Sequence, residues 1–229
     1  MRNMIHRPIV ILSCFASAAL CVAADPPDAV FGRIDAAAKT FRGMTADIST
    51  TQHTKIVDDD SVQTGTVKLL RAKTGQTRML IDLRDPGAQT ISLDPHEVRL
   101  YNPRTKIVNV LDIADKQSLV NQFMLLGFGA DSAELKATYD VTYAGEEKIG
   151  KEQASHLVLT PKSADIRRSL KQADLWIGHG GLVAQQKFLY PSGDYKLVTY
   201  GNMQLRSSIP DRELELKLPE GAVIQKVEK

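Results

Sequence analysis

Gly178-His179-Gly180-Gly181 contains the His-Gly-Gly of some esterase oxyanion loops. That chemistry also needs a nucleophile elbow of the form G-x-S-x-G, which the chain lacks. The four residues separate two apolar alternating stretches, so they are expected to form a turn. Gly127-Phe128-Gly129 lacks the third glycine of a dinucleotide fingerprint and follows helical rather than strand spacing, which predicts a helix stop and a hinge. His53, His96, His156 and His179 do not fall at ligand spacing such as H-E-x-x-H. Asp58-Asp59-Asp60 lacks the spaced carboxylates of a calcium loop. The pairs Glu146-Glu147 and Asp211/Glu213 become an acid and a base only if the fold makes them converge. No catalytic residue, metal ligand or cofactor is therefore assigned, and an enzyme is not expected.

The N-terminus carries an address instead. Arg2, His6 and Arg7 precede the apolar run Ile9 to Leu20, and Val22-Ala23-Ala24 supplies small residues before Asp25. This is the layout of a secretory signal peptide spanning 1–24. Leu20 before Cys21 is wrong for lipid attachment, and Ser13 before Cys14 would leave a very short apolar core. Cleavage after Ala24 removes both cysteines, and with them any disulfide, thiolate nucleophile or Cys-based metal site. It also removes Arg2 and Arg7, so the full-chain net charge of +2 falls to zero. A neutral chain lacks the basic footprint that binding nucleic acid requires, and nothing draws it electrostatically to anionic lipid. The remaining 25–229 is expected to be one periplasmic domain.

The elements that position side chains begin with a helix over 28–41, where Val30, Ile34, Ala38 and Phe41 recur at helical spacing. Period-two strands are then predicted at 44–56, 62–72, 76–84, 88–94, 97–102 and 106–112, punctuated by Asp58-Asp59-Asp60, Thr74-Gly75, Asp85-Pro86-Gly87, Asp94-Pro95 and Asn102-Pro103. A second helical stretch, 115–126, is apolar around much of its circumference. Strands are predicted again at 138–144, 154–161, 171–178, 182–190, 194–204 and 212–218. The fold class is mainly β (α+β): one curved antiparallel sheet with helices covering its concave face.

The order of these pieces resembles the periplasmic outer-membrane lipoprotein carrier family (LolA-type). The resemblance runs from Lys39-Thr40-Phe41-Arg42-Gly43-Met44 through Gly65-Thr66-Val67-Lys68-Leu69-Leu70-Arg71, the Tyr101-Asn102-Pro103 turn and Gln122-Phe123-Met124-Leu125-Leu126. It continues through Leu157 to Lys162, Ala173 to Ile177 and Pro191-Ser192-Gly193-Asp194-Tyr195, and ends at Leu216 to Gly221. It implies an unclosed β-barrel with helices as a lid over an apolar cavity. It also implies acylated lipoproteins as cargo, taken from an inner-membrane lipoprotein-releasing ABC transporter and passed to an outer-membrane acceptor. By position from Gly65, the family's lid-latching arginine matches Arg71, although Ala72 stands where proline is common.

On that resemblance Met79, Ile81, Leu83, Ile91, Leu93 and Leu100 are expected on the sheet side of the cavity. Phe123, Met124, Leu126 and Phe128 are expected on the lid side. Period two alone does not separate a cavity wall from an ordinary sheet core. A lipid- or glycolipid-binding or lipoprotein-sensing module on the same fold remains the alternative. A monomer is expected, because the mouth of a carrier must stay accessible.

Overall fold

The computed structural model describes residues 27–71, 77–84, 86–114 and 126–227. Helix α1 (Pro27–Thr40) opens the described chain, with Pro27 in its first turn, where a missing N–H costs nothing. Six strands follow: β1 (Gly43–Thr54), β2 (Asp59–Arg71), β3 (Thr77–Leu83), β4 (Gln89–Leu93), β5 (Glu97–Asn102) and β6 (Ile107–Asp112). A short helix α2 (Ser132–Thr138) leads into β7 (Tyr139–Ile149) and β8 (Glu152–Pro161). One helical turn, α3 (Ala164–Arg167), precedes β9 (Gln172–Gly178), β10 (Val183–Leu189) and β11 (Tyr195–Leu205). A 3-10 turn at Asp211–Glu213 and β12 (Val223–Lys226) complete it. The predicted helix 115–126 lies outside the described residues except for its last position.

Among the described residues, twelve strands form one sheet in the order β12-β6-β5-β4-β3-β2-β1-β11-β10-β9-β8-β7. The order is linear, so β12 and β7 are free edges and the barrel is unclosed. Register shifts bend it at Thr45/Asp47, Tyr143/Gly145 and Val183/Gln185, since an extra residue on one strand increases local twist and bend. At Gly65 β2 passes so close to β3 that a Cβ would lie 2.1 Å from the Asp82 carbonyl oxygen.

The concave face is apolar. α1 buries Val30 and Ile34 in one cluster with Leu157, Leu175 and Ile177 of β8 and β9. The turn His179–Gly181 fits beneath it, where a Cβ on Gly181 would lie 2.1 Å from the Arg33 carbonyl oxygen. Two polar contacts pin the helix. Arg33 donates to the fully buried Ser155 hydroxyl at 2.8 Å, and Asp35 accepts from both the backbone N–H and the hydroxyl of Ser132 at the start of α2.

One expectation holds with a local exception, and one is corrected. The sheet is antiparallel except at one edge, where β12 pairs in parallel with β6. Residues 212–218 are not a strand. Leu214, Leu216 and Leu218 alternate, but this stretch runs behind the sheet as a strap. Lys68 on β2 meets Glu213 at 3.0 Å, and Arg78 on β3 meets Asp211 at 2.6 Å. Ile209 and Leu214 are buried. From β11 to β12 the sheet spans seven interstrand spacings, about 34 Å, which the seventeen residues between Leu205 and Val223 cross easily.

Candidate functional site: an apolar cavity

The registers assemble the site row by row. Met44, Leu69, Met79 and Leu93 lie opposite one another across β1, β2, β3 and β4. Val67, Ile81 and Ile91 form the next row. On the other side of β1, Ile48 faces Tyr200 and Thr50 faces Val198, which in turn faces Gln186 on β10. Directly opposed residues share a face of the sheet, so these rows make one concave wall. Between the wall and the covering segments lies a cavity of about 370 Å³, within the ordinary range for a small-molecule site.

Its lining is chiefly aliphatic and aromatic: Met44, Ile48, Val67, Leu69, Met79, Ile81, Leu83, Ile91, Phe128, Leu170, Phe188, Val198 and Tyr200. The polar lining is Thr50, Ser169, Gln186, Tyr190 and Lys196, with the Tyr200 hydroxyl. Gln186 Nε2 donates to that hydroxyl at 2.8 Å, while Gln186 Oε1 is buried and has no partner among the described residues. Burial pushes the Tyr200 and Tyr190 phenols above their ordinary values. It pulls the Lys196 amino group below its own.

Of the residues predicted for the wall, Met79, Ile81, Leu83, Ile91 and Phe128 line this cavity. Leu93 and Leu126 are each 2% exposed and belong to the packed core. Leu100 opposes Ile91, placing it on the same face one strand beyond the lining. Phe123 and Met124 lie outside the described residues. Wall residues missed from the sequence include Val67 and Leu69 on β2, and Gln186, Phe188, Lys196, Val198 and Tyr200 on β10 and β11. The signal for these was present, because Lys196, Val198 and Tyr200 alternate as cleanly as Met79, Ile81 and Leu83.

The lid-side segment is held by glycine geometry. Gly127 and Gly129 have φ of +87° and +84°, a region that glycine enters without steric cost. Between them Phe128 turns inward, 1% exposed, and packs edge-on against Tyr200 at 4.9 Å. Arg71 Nη1, at the end of β2, donates to the Gly129 carbonyl.

The other sequence motifs are placed away from the cavity. His53 pairs with Asp60 at 2.9 Å beside the β1–β2 turn and stacks on Tyr195. His156 bridges Glu147 at 2.8 Å and Asp174 at 3.0 Å and stacks on Trp176. Among the described residues no group of three or more His, Cys, Asp or Glu could hold a metal ion. No helix among them is long and apolar enough to cross a membrane.

No family model matches the sequence, and no curated protein matches it. Solved structures do. MucB superposes with a TM-score of 0.52 at 14% identity over 84% of this chain. The fold is shared with MucB. This chain spans 64% of the length of that protein. An uncharacterised conserved protein from Thermus thermophilus superposes with a TM-score of 0.54 at 12% identity, over 87% of this chain and 98% of its own. A LolA superfamily protein from Nitrosomonas europaea aligns over 82% of this chain and 97% of its own at 12% identity, with a TM-score of 0.41. Likeness at such identities is likeness of fold. That fold, an unclosed sheet with covering helices, is the one that the resemblance to LolA-type carriers implies.

Proposed function

We propose that this chain is an extracytoplasmic carrier that holds acyl chains in the cavity between its sheet and its lid. The observation that carries this reading is the lining. Thirteen side chains, from Met44 to Tyr200, present an aliphatic and aromatic wall inside a cavity of about 370 Å³. Burying a methylene group is worth about 0.8 kcal/mol, so a long acyl chain carries roughly 10 kcal/mol across water. Methionine adapts its shape to irregular partners, and Met44 and Met79 both line the site.

In the finer form of the reading, residues 1–24 are a cleaved signal peptide and 25–229 are the periplasmic carrier. The acyl chains belong to lipoproteins. They arrive from an inner-membrane lipoprotein-releasing ABC transporter and leave to an outer-membrane acceptor. Arg71 is the latch: its hydrogen bond to Gly129 holds the lid segment to β2 when the cavity is empty, and cargo displaces it.

The test is mass spectrometry of organic extracts from protein purified out of its native periplasm, run beside an assay for release of lipoproteins from inner-membrane vesicles. Triacylated peptides with ATP-dependent release establish the lipoprotein carrier. Free lipid or glycolipid without release keeps the acyl-chain cavity and changes the cargo. No bound lipid and no release removes the carrier reading.

A further inference from the structure

Among the described residues, the cavity has one charged residue in its lining: Lys196 lines it from β11, and no described aspartate or glutamate does. The lysine is half-buried, and its register neighbours are Gln52 on β1 and Phe188 on β10. Among the described residues no hydrogen bond or ion pair reaches its Nζ. A cation taken partly out of water with no partner is destabilising. The desolvation that lowers its pKa is the same cost seen in another form.

The position is also specific. Phe128 packs on Tyr200 at the lid end, and Lys196 lies four residues further along the same strand, about 13 Å away. The lining also carries the Tyr190 and Ser169 hydroxyls. Tyr190 lies two residues beyond Phe188, which opposes Lys196, and the bond from Lys171 N–H to the Leu189 carbonyl brings the segment that follows Ser169 to the same end of β10. Ser169 is solvent-exposed, so this end opens to water. Gln186 adds a polar amide on the same wall. Its side chain bonds the Tyr200 hydroxyl, which can donate or accept. Either way the amide is turned, one of its polar atoms is left for a ligand.

We infer that Lys196 receives an anionic head, a carboxylate or a phosphate, of a ligand whose acyl chain runs along β11 toward Phe128, with the Tyr190 and Ser169 hydroxyls as further donors. This rests on the acyl-chain reading of the cavity but not on lipoproteins as the cargo. A charge-assisted hydrogen bond replaces the lost hydration of the ammonium group, and the apolar wall takes the chain. The ligand class is therefore an anionic amphiphile.

The test is displacement of a fluorescent acyl probe by palmitate, hexadecyl phosphate and hexadecanol, all below their aggregation limits, from the wild type, Lys196→Met and Lys196→Arg. Palmitate or hexadecyl phosphate should bind the wild type at least about tenfold more tightly than hexadecanol. Lys196→Met should bring the anions to the level of the alcohol measured on the same variant, and a circular dichroism spectrum and melting temperature like those of the wild type show that the variant is folded. Lys196→Arg should retain the preference. Which anion binds better tells a carboxylate source from a phosphate source. Equal binding of anions and alcohol by the wild type, or an anion preference that survives Lys196→Met, overturns the head-group role and leaves the acyl cavity standing. Failure of all three amphiphiles and the probe to bind the wild type overturns the acyl reading itself.

Discussion

Arg71 and Gly129, 58 residues apart in sequence, are joined by a hydrogen bond from guanidinium Nη1 to backbone carbonyl. A Cβ on Gly129 would lie 2.9 Å from that same nitrogen, so the arginine occupies the space that the glycine leaves free. The end of β2 and the segment carrying Phe128 are thus coupled at one point.

Arg71→Leu should keep the fold, because Arg71 is half-buried at a strand end. It should lose one hydrogen bond from a charged donor, worth about 1.5–3 kcal/mol. If the bond competes with cargo for the lid, the variant should release a bound acyl probe severalfold more slowly than the wild type, with an unchanged circular dichroism spectrum. Wild-type release kinetics would remove Arg71 from the mechanism.

Gly127→Ala should destabilise the protein by about 2 kcal/mol or more. The left-handed backbone alone costs an alanine about 1–2 kcal/mol. The added Cβ would also sit 2.0 Å from Val183 Cγ2. Urea unfolding measures the loss. Val183→Ala in the same chain should recover part of it, since that substitution relieves the clash and leaves the backbone term.

Cavity wall and packed core should respond in opposite ways. Ile81→Trp puts bulk into open space, so it should weaken acyl-probe binding at least tenfold with little loss of stability. Leu157→Ala, at a side chain with 0% exposure, should cost about 2–5 kcal/mol and leave probe affinity nearly unchanged. If Ile81→Trp unfolds the protein, the cavity is not free space.

Acid should weaken the outer face of β7 to β9. A hydrogen bond from Trp176 Nε1 holds the Glu147 carboxyl below its usual 4.5, His156 adds to this, and partial burial opposes it. A group whose folded pKa is depressed stabilises the fold above its unfolded value. That stabilisation disappears as pH falls through the folded one. Glu147→Gln should therefore lower the melting temperature at neutral pH, and the gap to the wild type should close as pH drops below about 4.5. A gap that is constant with pH would show that the carboxylate charge contributes nothing.

Strands β1 to β11 were legible because their side chains alternate and their turns carry aspartate, asparagine, glycine and proline at the bends. Strand β12 was not. Val223-Ile224-Gln225-Lys226 is short and exposed on both faces, and its partner Ile107 to Val110 lies far upstream, so no local pattern marks it. Helix α2 carries a local mark in the sequence. Asp131 caps it, and Glu134 reaches back to the Asp131 N–H, giving a reciprocal capping box. The cavity was half legible. Met79 and Leu93 face each other in register and are about equally buried, yet one lines open space and the other does not. That distinction depends on what lies across from each, and alternation does not encode it. Lys196 was readable as a charge on an otherwise apolar face, in step with Val198 and Tyr200.

The strap behind the sheet acts on the site without touching it. It is anchored at one end by β11 and at the other by the β6 edge that β12 extends, with ion pairs to Lys68 and Arg78 between them. It lies on the outer side of a curved surface. Curling the sheet more tightly lengthens that outer path, and flattening the sheet shortens it. The strap's seventeen residues leave slack over that path, so tension does not set the curvature. The strap instead clasps β2 and β3 from behind through Lys68 and Arg78, whose strand neighbours Leu69 and Met79 face the cavity, so two strands of the wall are tied together at the back as well as by their own ladder.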